Sequence, residues 1–360
     1  MNKSAKGVTA VICLSPYSGG MEMDAIKMAK LLVSELQVVL VAKAGCYIAK
    51  YYPSTLEDSG ICLETIEFSS KFSLSIISRT RKIINQYHIQ NVIFFGASEL
   101  RSLYFAFLGY NLTVLVRHGT TKTSSKKDWL HKLIYSCVDY HVAICEHLAK
   151  NVQSIIPFGK KTQLKVIYPS LREEPVLSRH SVSKPVTLLH MGRITEGKGQ
   201  KEAIEACEVL YNHGIEFQLV CVGDMDPDYE KEFTAYLENK PYAGSVQLKG
   251  FAQDVAGYYQ RADIFIFPSK GEGLSNAFIE ALSYGLICIA FSNTSFPELR
   301  GLGFDFLMAK DQDIGDLKQK LLQSIEFLHA NEMPLQKQSQ LAVELFSAKR
   351  ELNEYLSLLQ

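Results

Sequence analysis

The segment Phe265–Leu282, FIFPSKGEGLSNAFIEAL, decides the fold of this chain. It begins as an apolar strand that ends at Pro268 and continues through a glycine-containing turn. A helix then begins at Ser275 or Asn276, which are both good helix N-caps. A buried strand followed by a turn and a helix is the repeating unit of parallel α/β sheets.

The same alternation extends in both directions from this segment. A polar stretch with three prolines, 169–185, separates two such runs and predicts a linker. We therefore expect two doubly wound domains, with a long helical tail from Ile314 to the end. The expected strands are Val8–Leu14, Val38–Ala42, Asn91–Phe95, Thr113–Arg117, Tyr140–Ile144, Val186–Met191, Phe217–Val222, Val246–Lys249, Ile264–Phe267 and Leu286–Ala290.

Composition excludes several classes of protein. The 360 residues carry 38 Lys plus Arg and 38 Asp plus Glu, so a net charge of zero gives no global attraction for nucleic acid. The eight cysteines form no C-x-x-C pair, which favours a reduced cytosolic protein. The start MNKSAKGVTAVICLSP does not follow a secretory signal pattern, and no run is long enough to span a membrane.

The segment Phe265–Leu282 carries two carboxylates. Glu272 lies in the turn, and Glu280 lies eight residues later on an otherwise apolar helix face. A buried carboxylate is costly unless it is hydrogen-bonded, and sugar hydroxyls are suitable donors. The helix N-terminus and its glycines also present backbone N–H groups to an anion. A partly exposed Glu280 on an amphipathic helix is the alternative interpretation.

A second candidate is the loop HMGRITEGKGQ, 190–200, which follows the expected strand Val186–Met191. Arg193 and Lys198 lie among Gly192, Gly197 and Gly199. Two cations in a loop of small residues suit a diphosphate, although a basic surface loop would have the same composition.

Two further candidates lie in the first half. Gly19 and Gly20 follow the first strand, where a turn facing an anion or a sugar is expected, although ordinary turn chemistry explains them equally well. His118 ends the strand VLVRH, and strand ends are where open α/β sheets bind ligands. A structural histidine is the alternative interpretation there.

Taken together, these motifs resemble the family-4 glycosyltransferases, which are retaining enzymes of the GT-B fold. Glu272 and Glu280 have the E-x7-E spacing of that family within GEGLSNAFIEAL. The segment GRITEGKG resembles the family's G-R-x-x-x-x-K-G loop, and VQLKGFAQDVAGYYQRADIFIFPS resembles the stretch before the E-x7-E motif. The likeness extends over about 185–290 and is weaker in the first half.

The resemblance implies an α/β fold of two Rossmann-like domains facing a central cleft. The expected N-terminal, acceptor-side domain is 1–170, joined by a C-terminal helix that crosses back with 340–360. The expected nucleotide-sugar domain is 171–339.

The resemblance also implies roles for the candidates. Arg193 and Lys198 would bind the donor diphosphate, Glu272 would face the transferred sugar, and His118 would lie near that sugar. Glu280 would hold the ribose. Donor contacts would also come from Gly192, Gly273, Leu274, Ser275, Gly19 and Gly20. No metal and no cofactor are expected, because cations and a helix N-terminus would stabilise the leaving group.

The expected function is transfer of a sugar from a nucleoside-diphosphate sugar to a glycan or lipid-linked glycan in bacterial polysaccharide or lipopolysaccharide synthesis. UDP is the expected nucleotide because it is the most common one. The segment Lys122–Tyr135, KTSSKKDWLHKLIY, combines lysines with aromatic and aliphatic residues. A basic amphipathic helix there would suit an anionic membrane surface, and so a cytoplasmic protein peripheral on the inner face of the membrane. A helix packed inward is the alternative.

Two other functions stay open on the sequence alone. One is a non-catalytic module that binds nucleotides or glycans, and the other is a nucleotide-sugar epimerase of the GT-B fold. An NAD-dependent oxidoreductase is disfavoured because no strand is followed by G-x-G-x-x-G.

Overall fold

The structure, a computed structural model, describes residues 7–17, 19–70, 72–96, 98–173, 175, 184–330 and 334–359. The chain divides into two compact units. Unit 1 comprises Met1–Ser170 and Ala348–Gln360, and unit 2 comprises Leu171–Ser347.

Unit 1 is built on a parallel sheet in the order β3-β2-β1-β4-β5-β6-β7. Alternate residues of a strand point to opposite faces, so Ala10 and Ile12 join one apolar cluster and Val11 and Cys13 join the other. Helices cover both faces, which explains why the strands read as continuous apolar runs. The strands are β1 Val8–Cys13, β2 Gln37–Lys43, β3 Cys62–Ile66, β4 Ile89–Phe95, β5 Thr113–His118, β6 Tyr140–Ala143 and β7 Gln163–Val166.

The helices of unit 1 include one from the C-terminal segment. The helices are α1 Gly20–Leu32, α2 Tyr47–Tyr51, α3 Pro53–Asp58, α4 Leu74–Tyr87, α5 Leu100–Phe107, α6 Trp129–Tyr135, α7 Glu146–Ile155 and, from that segment, Ala348–Leu356. That last helix contacts α1, and its Tyr355 is fully buried in the core cluster shared with α1 and β2. The fold class, including a C-terminal helix that returns to the first unit, is thereby confirmed.

Unit 2 repeats the architecture with a parallel sheet in the order β10-β9-β8-β11-β12-β13. Its strands are β8 Val186–Met191, β9 Phe217–Val222, β10 Val246–Leu248, β11 Ile264–Phe267, β12 Ile287–Phe291 and β13 Leu307–Ala309. Its helices are α8 Gln200–Asn212, α9 Pro227–Glu238, α10 Ala256–Arg261, α11 Asn276–Ser283, α12 Phe296–Gly301, α13 Ile314–Ala330 and α14 Leu335–Leu345; Ala348–Leu356 is hereafter α15.

The C-terminal tail differs from the prediction of one long helix. It is divided into α13, α14 and α15, because Pro334 precedes α14 and residues 346–347 are not helical. Helix α14 packs on α11 and belongs to unit 2, so the returning segment begins at Ala348 rather than at 340.

Other differences concern edge strands and the linker. The edge strands β3, β7 and β13 are absent from the predicted strands. β3 is an edge strand with mostly exposed or half-buried residues, so it lacks the apolar run of a central strand. Most of the predicted linker 169–185 lies outside the described residues, since 174 and 176–183 are not described.

Candidate functional site

The strand order of unit 2 brings the two sequence motifs together. β8 pairs in parallel with β11, with Leu188 opposite Ile264 and Leu189 opposite Phe265. The order reverses between these strands, which is the switch point where doubly wound sheets bind ligands outside the carboxyl ends of the strands. The connection after β8, residues 192–199, and the connection after β11, residues 268–275, therefore lie side by side.

Backbone contacts join these two connections. The Lys270 N–H donates to the Gly197 carbonyl at 2.9 Å, and the Ser269 hydroxyl donates to the same oxygen at 3.2 Å. Gly199 has a φ of +93°, and a Cβ on it would lie 2.5 Å from the carbonyl carbon and oxygen of Pro268. Only glycine permits this approach, so the start of α8 is set directly against the end of β11.

Lys198 and Glu272 form an ion pair across the two connections. The Lys198 Nζ is 2.6 Å from the Glu272 Oε1, which also accepts from the Ser269 hydroxyl at 3.1 Å. The Glu272 backbone N–H donates to the Thr294 hydroxyl at 3.2 Å. A cation and a carboxylate, separated by 74 positions in the sequence, are thus held together at the switch point. The Arg193 side chain is exposed on the same loop.

Glu280 is buried on α11, and side chains of the protein contact both oxygens of its carboxylate. The Tyr259 hydroxyl donates to Glu280 Oε2 at 2.9 Å, and the Arg172 Nε lies 3.2 Å from Glu280 Oε1. Burial and the adjacent carboxylate raise the pKa of Tyr259 well above its ordinary value, so Tyr259 stays a donor. The interpretation of Glu280 as a partly exposed surface residue is wrong, because its exposure is 5%.

The turn between Glu272 and Glu280 contains the other donor candidates. Gly273, Leu274 and Ser275 are buried, and the Ser275 hydroxyl caps α11 by accepting from the Phe278 N–H at 3.3 Å. The Gly192 N–H donates to the Val222 carbonyl at 2.9 Å. Because this N–H is already bonded within the protein, what Gly192 offers the site is space where a side chain would otherwise lie.

Sequence reasoning missed the residues that hold these groups in place. The His190 Nε2 donates to the Lys198 carbonyl at 3.0 Å, and burial lowers the pKa of His190 to about 4, so the ring is neutral. The Gln200 amide donates to the carbonyls of Gly192 and Arg193 at 3.3 and 3.0 Å. The sequence signal that could have identified His190 is its position as a polar residue inside the apolar run of β8.

In unit 1 the switch point lies between β1 and β4. Gly19 precedes α1, which begins at Gly20, and the Met23 N–H donates to the Gly19 carbonyl at 3.1 Å. Among the described residues, a Cβ on Gly20 would meet no atom within 4 Å outside its chain neighbours and its own helix backbone. The described residues therefore leave space beside Gly20 at the carboxyl end of β1.

His118 lies at the end of β5, but both of its ring nitrogens are engaged by other side chains. The Lys122 Nζ is 2.9 Å from His118 Nδ1, and His141 Nδ1 is 2.9 Å from His118 Nε2. The neighbouring Arg117 points elsewhere and forms an ion pair with Asp24 of α1 at 2.9 Å. The expected role of His118 beside a sugar stays a prediction.

The segment Lys122–Tyr135 differs from a single basic amphipathic helix. Only Trp129–Tyr135 is helical, as α6, and Lys122 turns inward to His118. Ile134 and Tyr135 are 2% exposed and pack in the core, whereas Trp129 is 76% exposed. The inward-packed alternative therefore describes the end of this segment, and its start is a loop.

The described part of the chain lacks two features, a cluster of metal-binding side chains and a membrane-spanning helix. It contains no group of three or more His, Cys, Asp or Glu side chains arranged to hold a metal ion. It also contains no helix with the length and apolar character needed to span a membrane.

Comparison with known proteins places the site in a family domain. A family model described as "Glycosyl transferases group 1" matches residues 185–326. The amylovoran biosynthesis glycosyltransferase AmsK of Erwinia amylovora is 30% identical over 131 residues, 34% of this chain and 31% of AmsK. The capsular polysaccharide biosynthesis glycosyltransferase CapH of Staphylococcus aureus is 24% identical over 288 residues, 76% of this chain and 78% of CapH. The chain thus spans less than a third of AmsK and more than three quarters of CapH.

A solved structure supports the fold over the whole chain. Alr3699/HepE of Anabaena, crystallised in complex with UDP and glucose, has a TM-score of 0.79 at 15% identity and covers 98% of this chain and 99% of its own. The chain therefore has the two-domain GT-B fold of glycosyltransferases, and residues 185–326 of its second unit match the glycosyl transferases group 1 family.

Proposed function

We propose that this chain is a glycosyltransferase that moves a sugar from a nucleoside-diphosphate sugar to a glycan or lipid-linked glycan, with retention, in bacterial surface polysaccharide synthesis. The observation that carries this proposal is the switch point of unit 2. There the Lys198–Glu272 ion pair lies beside the turn that leads to the buried Glu280, within a glycosyl transferases group 1 domain.

Glu280 is proposed to hold the donor ribose. Its carboxylate accepts hydrogen bonds, and ribose hydroxyls are donors of the right kind. Tyr259 and Arg172 hold the carboxylate at 2.9 and 3.2 Å, so its position is fixed before the nucleotide arrives. Arg172 has a side-chain exposure of 36%, so it is able to move aside for the ribose.

Lys198 and Arg193 are proposed to stabilise the leaving group. When the bond between the anomeric carbon and the diphosphate oxygen breaks, its electron pair leaves with the nucleoside diphosphate. Cations already in position stabilise that charge, and the loss of one such contact costs about 10²–10³ in rate. Binding of the diphosphate to Lys198 would release Glu272 to face the transferred sugar. No metal has a role in this scheme, and no protein nucleophile is assigned.

The choice of UDP and of a bacterial glycan acceptor draws on the relatives. HepE was crystallised with UDP and glucose, and CapH and AmsK are named for capsular polysaccharide and amylovoran biosynthesis. These properties belong to those proteins, and their transfer to this chain is a proposal.

A peripheral position on the inner face of the cytoplasmic membrane is also proposed. The exposed Trp129 at the start of α6 is near the exposed Lys127 in sequence, and such a pairing suits an anionic lipid surface. Binding to vesicles that contain anionic lipid is expected to weaken with added salt and with Trp129→Ala. Binding that ignores both changes would remove α6 from the membrane contact.

The function is tested first by ligand-induced stabilisation. The panel is UDP, GDP, ADP, CMP and NAD⁺, each with and without EDTA, on the wild type and on Glu280→Gln. A ligand at about 100 times its Kd stabilises the folded protein by about 2.7 kcal/mol. We expect UDP to raise the Tm without sensitivity to EDTA, and Glu280→Gln to remove the shift.

The control is Glu344→Gln, a change at an exposed glutamate of α14 in the same unit, which should keep the shift. Loss of the UDP shift in both variants would contradict the role of Glu280. A shift with NAD⁺ alone would overturn the donor class. Product analysis with the stabilising nucleotide-sugar then separates transfer to an acceptor from epimerisation, and binding without any product would favour a non-catalytic module.

A further inference from the structure

A line of three side chains leads from a loop of unit 1 into its core. We name Lys122, His118 and His141 the Lys122 network. The Lys122 Nζ is 2.9 Å from His118 Nδ1, and His118 Nε2 is 2.9 Å from His141 Nδ1. His118 and His141 are 1% and 0% exposed, and they lie on the neighbouring strands β5 and β6.

The chemistry of the groups fixes the direction of these hydrogen bonds. An ammonium only donates, so His118 Nδ1 accepts from Lys122. A neutral imidazole has one N–H, which must then be on His118 Nε2 and donate to His141 Nδ1. His141 in turn has its proton on Nε2, and the centroids of the His141 and Phe158 rings are 5.0 Å apart.

The surroundings favour neutral histidines beside a charged lysine. Burial, followed by Lys122, lowers the pKa of His118 well below its ordinary value and that of His141 to about 3. Burial and Lys126 lower the pKa of Lys122 to about 8, so the ammonium form still dominates at neutral pH. The other titratable groups close to the network are Tyr135 of α6, whose ring is 5.7 Å from that of His141, and His147 of α7, near Thr121.

The loop that presents Lys122 is also held in place. The Lys122 N–H donates to Asn151 Oδ1 and the Asn151 amide donates to the Lys122 carbonyl, both at 2.9 Å. Further along the loop, the Lys126 N–H donates to the Ile155 carbonyl at 2.9 Å. Lys122 is therefore held both at its backbone, by Asn151, and at its Nζ, by His118.

Within the described residues, Lys122 forms no ion pair with a carboxylate, and His118 takes one of its three N–H donors. An ammonium that is largely desolvated and lacks a counter-charge is suited to an anion. We propose that Lys122 is a substrate-binding residue for a phosphate or carboxylate oxygen at the carboxyl end of β5, and that His118 and His141 are its positioning residues. That the anion belongs to a substrate rests on the function proposed above.

The first test reads the network without turnover. In the full chain labelled with ¹⁵N-histidine, we expect the NMR spectrum of His118 to show the proton on Nε2 and no titration between pH 5 and 8. In Lys122→Met the donor to His118 Nδ1 is lost and a mixture of tautomers is expected, whereas Lys122→Arg, which still donates, should restore the single form. A proton on Nδ1 in the wild type, or titration near pH 6.5, would overturn the proposed direction of the bonds.

The second test measures anion binding with inorganic pyrophosphate and with glucuronate, to separate a phosphate from a carboxylate source. Lys122→Met should weaken binding of one probe at least about tenfold, and Lys122→Arg should retain it. The control, Lys150→Met, alters an exposed lysine of α7 in the same unit and should leave binding unchanged.

The pH dependence gives an independent readout. Wild-type affinity for the effective probe should fall as the pH rises through about 8, where Lys122 loses its charge, and the affinity of Lys122→Arg should not. Equal binding of both probes by the wild type and Lys122→Met, or the absence of binding, would overturn the proposal. Failure of the UDP panel with success here would remove the donor assignment and leave the Lys122 network intact.

Discussion

Replacing Gly199 by alanine tests whether the close contact between α8 and β11 holds the candidate site together. Gly199 has a φ of +93°, and a left-handed backbone costs a residue with a Cβ about 1–2 kcal/mol. The new Cβ would lie 2.5 Å from the backbone of Pro268, which cannot rotate away. Overpacking of this kind costs about another 1–3 kcal/mol. The expected loss is therefore about 2–5 kcal/mol.

Gly197→Ala is the matched control. Gly197 lies two positions away with a φ of +85°, and a Cβ there would meet no atom within 4 Å. This variant should lose only the backbone contribution, about 1–2 kcal/mol. The difference between the two variants isolates the clash with Pro268.

The assay is urea unfolding, monitored by hydrogen exchange at the backbone amides of β8 and α8 so that it reports on unit 2. Calorimetry should show the same order, with Tm falling about 2–4 °C for each kcal/mol. Gly199→Ala should also weaken UDP stabilisation more than Gly197→Ala does, because the contact sets Lys198 relative to Glu272. A Gly199→Ala protein as stable as Gly197→Ala would refute the reasoning.

Three further predictions concern single groups. Lys198→Ala should lower turnover at least about 100-fold with the fold intact, while Lys231→Ala, at an exposed position of α9, should not; activity within a few-fold of wild type would exclude Lys198 from the leaving-group contact. Burial lowers the pKa of His190 to about 4 in the folded protein, whereas its pKa in the unfolded chain is about 6.5. As the pH falls from about 6.5 to 4, the unfolded chain binds a proton that the folded protein does not. The free energy of unfolding should therefore decrease by about 3 kcal/mol across that window. His190→Gln should reduce this dependence in urea titrations, and an unchanged slope would assign it to other groups. Arg117→Met should cost about 3–5 kcal/mol because it removes the cation that neutralises the buried Asp24 carboxylate. Arg117→Met with Asp24→Leu should recover part of that loss, as measured by unfolding. A double variant no better than the single one would contradict the ion-pair explanation.

The sequence predicted the elements more fully than the contacts between them. The segment Phe265–Leu282 reads directly as strand, turn and helix, and its periodicity places Glu280 on the helix face that becomes buried. The pairing of Lys198 with Glu272 depends on β8 and β11 being neighbours at the switch point. No local pattern contains that information, because 74 positions separate the two residues.

The site in unit 1 was predicted less completely. His118 was singled out by its place at the end of a strand, but its partners come from a loop and from the next strand. Sequence reasoning placed Lys122 in a basic amphipathic helix, either facing a membrane or packed inward, because its neighbours Lys126, Lys127 and Trp129 follow a basic and aromatic pattern. The backbone hydrogen bonds to Asn151 turn the lysine inward, and these depend on tertiary structure.

The return of α15 to unit 1 has a consequence for the order of events during synthesis. Glu351 is fully buried, accepts from the Ser170 N–H at 2.7 Å and lies 3.6 Å from the Lys27 ammonium. At about 5–20 residues per second, the ribosome makes α15 roughly 10–35 s after residue 170. During that interval the nascent first unit exposes the apolar groove that Tyr355 later fills. Unit 1, although synthesised first, therefore cannot be completed until the chain of unit 2 has been made.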